Sequence, residues 1–278
     1  MTIPVAVRQA GDAARRAKNR TLRWNPPALD SPVHPLSSAP PCQLAAVLGQ
    51  AGARAVELVE NLQNFTAEEE IEYQTLDHAD VLQVFGSETF EYVVTFGAPE
   101  KGLAMEEHRN PIHGSSGTAA GLDIGLPELA LIFLPEMQGD YDMVCAGAGE
   151  WENQPAWVIQ FRQRRDRPSR TFSFRVGHSV YSAGLRGRAW IDVHSGEVLH
   201  LETGLMESVP AVNMRQWYLS IGYAPVQFQS RPVTVWLPSV VNGYLEYGKL
   251  RTIVYHTFSK YLLFSVQTEE KIAKPKAP

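Results

Sequence analysis

Alternation is the feature that most restricts what this chain can fold into. From residue 68 onward, apolar side chains recur mainly at every second position. The run "TFEYVVTF" sets Phe90, Tyr92, Val94 and Phe96 on one side, and "PAWVIQF" does the same with Trp157, Ile159 and Phe161. "NMRQWYLSIGY" groups Trp217, Leu219, Ile221 and Tyr223. A period of two matches the pleat of a β-strand with one face buried, and turn residues fall between the runs at intervals of about eight to fifteen positions. The pattern predicts a largely antiparallel sheet with short connections. It contains no internal repeat of fixed period.

The stretch "GRAWIDVHSGEVLHLET", Gly187 to Thr203, reads as a hairpin. A three-residue loop His194-Ser195-Gly196 sets Ile191 opposite Leu199 and Ala189 opposite Leu201. One face then holds Ala189, Ile191, Val193, Leu199 and Leu201, and is dry. The other holds Arg188, Trp190, Asp192, Val198, His200 and Glu202, and is mostly wet. A four-residue loop would mix charges into both faces, so the shorter one is the expectation.

Two segments break the alternation. In "CQLAAVLGQAGARAVELVENLQNF", Leu44, Leu48, Ala51, Ala55, Leu58 and Leu62 recur at three- and four-residue spacing, with Val47 and Val59 widening the stripe. This predicts an amphipathic helix of about twenty residues. Gly49 and Gly52 weaken it or allow close packing against a sheet. In "GLPELALIFLPEM", Leu129, Ile132 and Phe133 fall at helical spacing, with Pro127 near the start and Pro135 as the stop. The expected fold class is therefore mainly β (α+β): one strongly curved antiparallel sheet whose dry, concave face is covered by a long N-terminal helix and a short central one.

Composition limits the remaining choices. The chain has 278 residues, 44% of them hydrophobic and 20% charged, with a net charge of −5. That balance argues against a general nucleic-acid binder. No apolar run approaches the roughly 18 residues that span a bilayer. Residues 1–40 combine a basic cluster (Arg15, Arg16, Lys18, Arg20) with "WNPPALDSPVHPLSSAPP", and are expected to form a flexible leader. A single domain is expected over 41–272 and a disordered tail over 273–278. The start of the chain lacks the pattern of a secretory signal, so either the protein stays inside, or this chain lacks its natural leader, or its true start lies upstream. Cys42 and Cys145 are too far apart for a CxxC motif and read as two buried thiols or one long-range disulfide.

The order of elements, long helix, meander, short helix and the hairpin "GRAWIDVHSGEVLHLET", resembles the periplasmic lipoprotein-carrier (LolA/LolB-like) superfamily. Over residues 42–272 the chain is also similar to uncharacterised bacterial proteins with segments like "CQLAAVLGQAGARAVELVENLQNFTAEEEIEYQ", "LALIFLPEM" and "YDMVCAGAGEWENQPAWVIQFRQRRDRPSR". The resemblance implies a half-open barrel whose concave surface holds acyl chains or another apolar partner. It implies a periplasmic or otherwise extracytoplasmic location, the alternative being cytoplasmic, and it makes a Cys42–Cys145 bridge as good a candidate as two free thiols. The implied ligand surface comprises Leu48 and Leu58 of the first helix, Phe133 of the second, and Phe90, Tyr92 and Val94. It continues through Trp157, Ile159, Phe161, Ile191, Leu199, Leu201, Trp217 and Leu219. The same residues also read simply as core, since a sheet roofed by helices needs them regardless.

Other groupings carry less. His108 and His113, with Glu106 and Glu107 nearby, have no spacing that forces them onto one metal. His194 and His200 read as structural polar residues. Arg162, Arg164, Arg165, Arg167 and Arg170 read as a charged hairpin tip that discourages edge pairing. "GSSGTAAG" lacks the spacing of a phosphate loop, "HGSSG" misses a nucleophile elbow by one position, and Glu68 with Glu70 needs no catalytic role. The expected function is non-enzymatic binding of a lipid or acyl chain with no cofactor, metal, catalytic residue or membrane span. The alternative is a structural or protein-interaction module with a filled core, using a sheet edge or an exposed strip around Trp190; its protein partner is unknown.

Overall fold

A computed structural model describes residues 26–29, 41–61, 64–79, 81–97, 104–112, 128–176, 179–228 and 233–264. The expected leader lies outside these apart from residues 26–29, as do the expected tail, Leu62, His113 and the "GSSGTAAG" segment. Helix α1 (Leu44–Asn61) leads into three long strands, β1 (Asn64–Asp77), β2 (Leu82–Gly97) and β3 (Ala104–Pro111). A 3-10 helix (Glu128–Phe133) and one turn of α-helix, α2 (Pro135–Gln138), come next. The chain continues through β4 (Tyr141–Trp151), β5 (Gln154–Gln163) and the small hairpin β6 (Ser173–Val176) and β7 (Ser179–Ser182). It ends with β8 (Leu185–Asp192), β9 (Val198–Leu205), β10 (Met214–Gln227), β11 (Thr234–Tyr247) and β12 (Leu250–Leu263).

Ten strands form one antiparallel sheet in the order β3-β2-β1-β12-β11-β10-β9-β8-β5-β4, and the sheet is curved and not closed. Its two edges, β3 and β4, are consecutive in the chain. The connection between them must therefore travel from one edge to the other, and its helical part packs into the main core beside α1. Alternation does what the sequence implies: in β1 the side chains of Phe65, Ala67, Glu69 and Ile71 are buried while their neighbours are less so. One continuous core takes in α1, the 3-10 helix and the concave faces of nearly every strand.

The structure departs from expectation at four places. The β8–β9 loop has four residues, Val193–Gly196, because the Asp192 carboxylate gathers the turn. Its Oδ1 accepts from the amides of His194 and Ser195 (2.9 and 2.7 Å) and from the Ser195 hydroxyl (2.9 Å). Gly196 supplies the left-handed residue at φ +75°. A register shift then leaves Ala189 opposite Leu201 but brings Val198, not Leu199, opposite Ile191. Val198 joins the main core, and Leu199 packs on the outer face with Trp190, Ala156 and Val158.

The outer face is also not wet. Arg188, Trp190, His200 and Glu202 are all buried, so no exposed strip surrounds Trp190. The His200 ring stacks on Trp151 at 3.5 Å between centroids, and Arg188 Nε donates to Glu202 Oε2 at 2.6 Å. Leu29, from the expected leader, packs on the same face against Tyr218, Tyr244, Ile253 and Tyr255.

The expected central helix is a 3-10 helix that ends at Phe133, ahead of Pro135, but Pro135 also opens a further turn of helix. It sits at the first position of α2 after a break at Leu134, where its missing N–H costs nothing. Gly52 admits helix rather than sheet, since a Cβ there would lie 3.0 Å from Gln138 Nε2 and 3.2 Å from the Phe133 carbonyl oxygen. Gln138 uses that proximity to donate to the carbonyls of Leu48 and Phe133 (3.0 and 2.7 Å). Cys42 and Cys145 form a disulfide, with Cα atoms 6.3 Å apart, that ties the start of α1 to β4.

Candidate functional site: the cleft beneath helix α1

Helix α1 buries Val47, Ala51, Gly52 and Ala55. It packs chiefly on the 3-10 helix, and Arg54 ties it to the β8–β9 turn. Farther along, Leu58 and Asn61 face a cleft completed by Ala130 and by Glu197, Val198, Tyr223, Val235 and Trp236 of the sheet. The cavity there is about 40 Å³. That volume suits a few water molecules and is well below the roughly 300–1,000 Å³ of a preformed small-molecule site.

The cleft is mainly apolar inside and polar at its mouth. Arg54 Nε donates to the Ser195 carbonyl at 2.8 Å, pinning α1 to the β8–β9 turn, and Arg54 Nη1 meets Glu57 Oε2 at 2.5 Å. Glu197 Oε1 lies 3.7 Å from Arg54 Nε. Burial pushes the Glu197 carboxyl up to about 7, with Arg54 opposing the rise and Glu57 and Asp192 adding to it. Deeper in, the Tyr223 hydroxyl is buried and has no hydrogen-bond partner among the described residues. Burial alone raises that phenol far above its ordinary range, so it remains a protonated donor.

A second polar group occupies the concave face toward the β3 edge. Glu69, fully buried, accepts from Arg109 Nε and Nη2 (2.6 and 3.1 Å) and lies 2.7 Å from His256 Nδ1. Burial works to raise the Glu69 carboxyl, but His256 and Arg109 more than offset it and hold it low. Tyr92 donates to Glu107, and the Arg109 guanidinium sits 5.0 Å from the Tyr92 ring centre. Both Glu69 oxygens are engaged, so this carboxylate is a charge-balanced strut rather than a base.

On the outer face, Ser220 Oγ and Glu202 Oε1 approach the same nitrogen of His200, Nε2, at 3.4 and 3.6 Å. Its Nδ1 is buried without a hydrogen-bond partner among the described residues. A nucleophile relay needs the two partners on opposite ring nitrogens, so this trio is not one. Burial holds the imidazole below its usual value.

Most residues expected to touch a ligand lie within packed clusters. Phe133, Tyr92, Val94, Ile159, Phe161, Ile191, Leu201, Trp217 and Leu219 lie in the main core, with Leu48 and Trp157 half-buried against it. Phe90 sits in a neighbouring cluster with Ile71, Tyr73 and Val254. Leu199 is on the opposite side of the sheet. Leu58 alone among them lines the cleft. Arg54, Glu197 and the role of the Tyr223 hydroxyl escaped sequence reasoning. A glutamate and a histidine at core-parity positions, Glu69 and His256, were the legible signal for the buried ionic group.

The remaining groupings are settled locally. His108 is exposed beside Glu106 at 3.7 Å, and among the described residues no three His, Cys, Asp or Glu side chains gather as a metal site. Arg164 pairs with Asp166 and Arg170 with Asp140, while Glu68 meets Lys260 at 2.6 Å. No helix among the described residues is long and apolar enough to cross a membrane.

No family model matches the chain, and no curated protein does. Among solved structures, it is similar to a DUF1329 family protein from Desulfovibrio piger (11% identity, TM-score 0.42, 81% of this chain and 94% of that one). It is also similar to an outer membrane lipoprotein-sorting protein domain from Vibrio parahaemolyticus (12%, 0.39, 78% and 94%). A third is a LolA superfamily protein from Nitrosomonas europaea (12%, 0.33, 80% and 94%). No residue role passes from any of them to this chain.

Proposed function

We propose that the protein is a non-enzymatic, extracytoplasmic binder that takes a lipid or acyl chain between α1 and the concave face of the sheet. The observation that carries this reading is the cleft itself: an apolar trough beneath a helix, open at a polar mouth and holding one unpartnered buried hydroxyl. Its small volume means that α1 shifts outward to admit a chain. The helix is suited to this, because small side chains form its underside and a disulfide keeps its first turn anchored. The disulfide also supports the compartment, since such bonds persist where the surroundings are oxidising.

Native mass spectrometry of the full chain, with organic extraction of whatever co-purifies, tests the reading together with titration of a pyrene-labelled acyl ester. Stoichiometric lipid and saturable binding are the expected results. A second reading, a packed structural or protein-interaction module, is favoured by the 40 Å³ volume alone. A chain that carries no lipid and leaves the probe in water would establish it instead.

A further inference from the structure

We propose that the ligand of the cleft carries a hydrogen-bond acceptor at the junction of its chain and head, an ester or amide carbonyl, and that the Tyr223 hydroxyl donates to it. This rests on the binding reading above and specifies its chemistry.

The argument begins with the strand register. Tyr223 on β10 stands opposite Pro238 on β11. The Pro238 carbonyl receives the Tyr261 hydroxyl at 2.5 Å, and the Tyr223 hydroxyl has no partner among the described residues. The two tyrosines lie on the same side of the sheet, and only Tyr261 is satisfied.

Tyr223 is 7% exposed, within the main core, and borders the cleft beside Leu58, Val198 and Val235. A buried hydroxyl with nothing to bond to is costly to keep, and a phenylalanine would fill the same space without that cost. Its position fits a ligand whose carbonyl lies one side chain inside the mouth. The Arg54–Glu197 pair would then face the head group and the apolar trough would take the tail. A hydrocarbon without a carbonyl would gain nothing from the hydroxyl.

The test compares two probes of equal chain length, a pyrene-labelled fatty acid methyl ester and the corresponding pyrene-alkane, on the full chain with its disulfide intact. Wild type is expected to prefer the ester. Tyr223→Phe is expected to lose about fivefold to tenfold in affinity for the ester, to bind the alkane unchanged, and to melt no lower than wild type. Tyr261→Phe, which removes a satisfied hydroxyl on the same face, is expected to lower the melting temperature and retain the ester preference. Ester preference that survives Tyr223→Phe overturns the assignment and leaves the binding reading intact, as does equal weakening toward both probes, the mark of a hydroxyl that only holds a buried water. Failure of both probes to bind wild type overturns both.

Discussion

Glu197 makes the stability of this fold depend on pH in a direction opposite to that of most carboxylates. Its carboxyl has an ordinary value of 4.5 and is pushed up to about 7 in the folded chain, chiefly by burial. Between those values the native state holds a proton that the unfolded chain has released, so stability is full below about pH 4.5 and falls as pH rises toward 7 and beyond. Each unit corresponds to 1.36 kcal/mol, and the side chain is only 18% exposed, so the loss by pH 8 is about 2–3 kcal/mol. Glu197→Gln keeps the shape and removes the charge. The variant should match wild type near pH 4.5 and exceed it by about 2–3 kcal/mol at pH 8. Urea denaturation followed by tryptophan fluorescence at pH 5, 6, 7 and 8, with the disulfide intact, gives the difference directly. Parallel curves for the two proteins across that range, or a wild type more stable at pH 8, would refute the reasoning. Because Glu197 sits where α1 is pinned to the β8–β9 turn, the same ionisation should speed probe uptake by wild type above pH 7 but not by the variant.

Replacing Cys42 and Cys145 together with serine should cost about 4 kcal/mol, since the bridge spans 103 residues of sequence; differential melting with and without reductant measures it. Arg109→Ala leaves Glu69 charged and unpaired by its guanidinium in the core and should cost about 3–5 kcal/mol in urea, whereas Arg109→Met combined with Glu69→Leu should recover most of that. Asp192→Ala removes three hydrogen bonds from the β8–β9 turn and should cost about 1–2 kcal/mol near neutral pH. The Asp192 carboxyl is held below its ordinary 3.8 by those bonds, so the difference between variant and wild type should shrink as pH falls through and below that value.

The hairpin from Gly187 to Thr203 marks where reading a sequence succeeds and where it stops. The Ala189–Leu201 pairing followed from alternation and was correct. The assignment of Val198 and Leu199 was inverted, because a strand's parity survives only until a residue is inserted. Here the insertion was decided by the Asp192 side chain capturing amides that a shorter loop would have left to the backbone. The outer face went wrong for a related reason. Arg188, His200 and Glu202 look wet one at a time, and only cross-strand pairing shows that they neutralise and cover one another.

From its residues alone, this protein's sheet and its long amphipathic helix were determined, because periods of two and of three to four depend on local backbone geometry. The choice between free thiols and a bridge was not determined, since two distant cysteines carry no information about separation in space until the fold brings their Cα atoms to 6.3 Å. Nor was the site. Apolar residues at core parity are the same whether they pack or line a cavity, and the cleft forms only where α1, Ala130 and residues near 197, 223 and 235, distant in the chain, come together. Of two tyrosines in one core, Tyr261 reaches the Pro238 carbonyl and Tyr223 finds no partner among the described residues, a difference that alternation alone does not carry. Local periodicity fixes which face a side chain takes, and tertiary pairing alone fixes what that side chain meets.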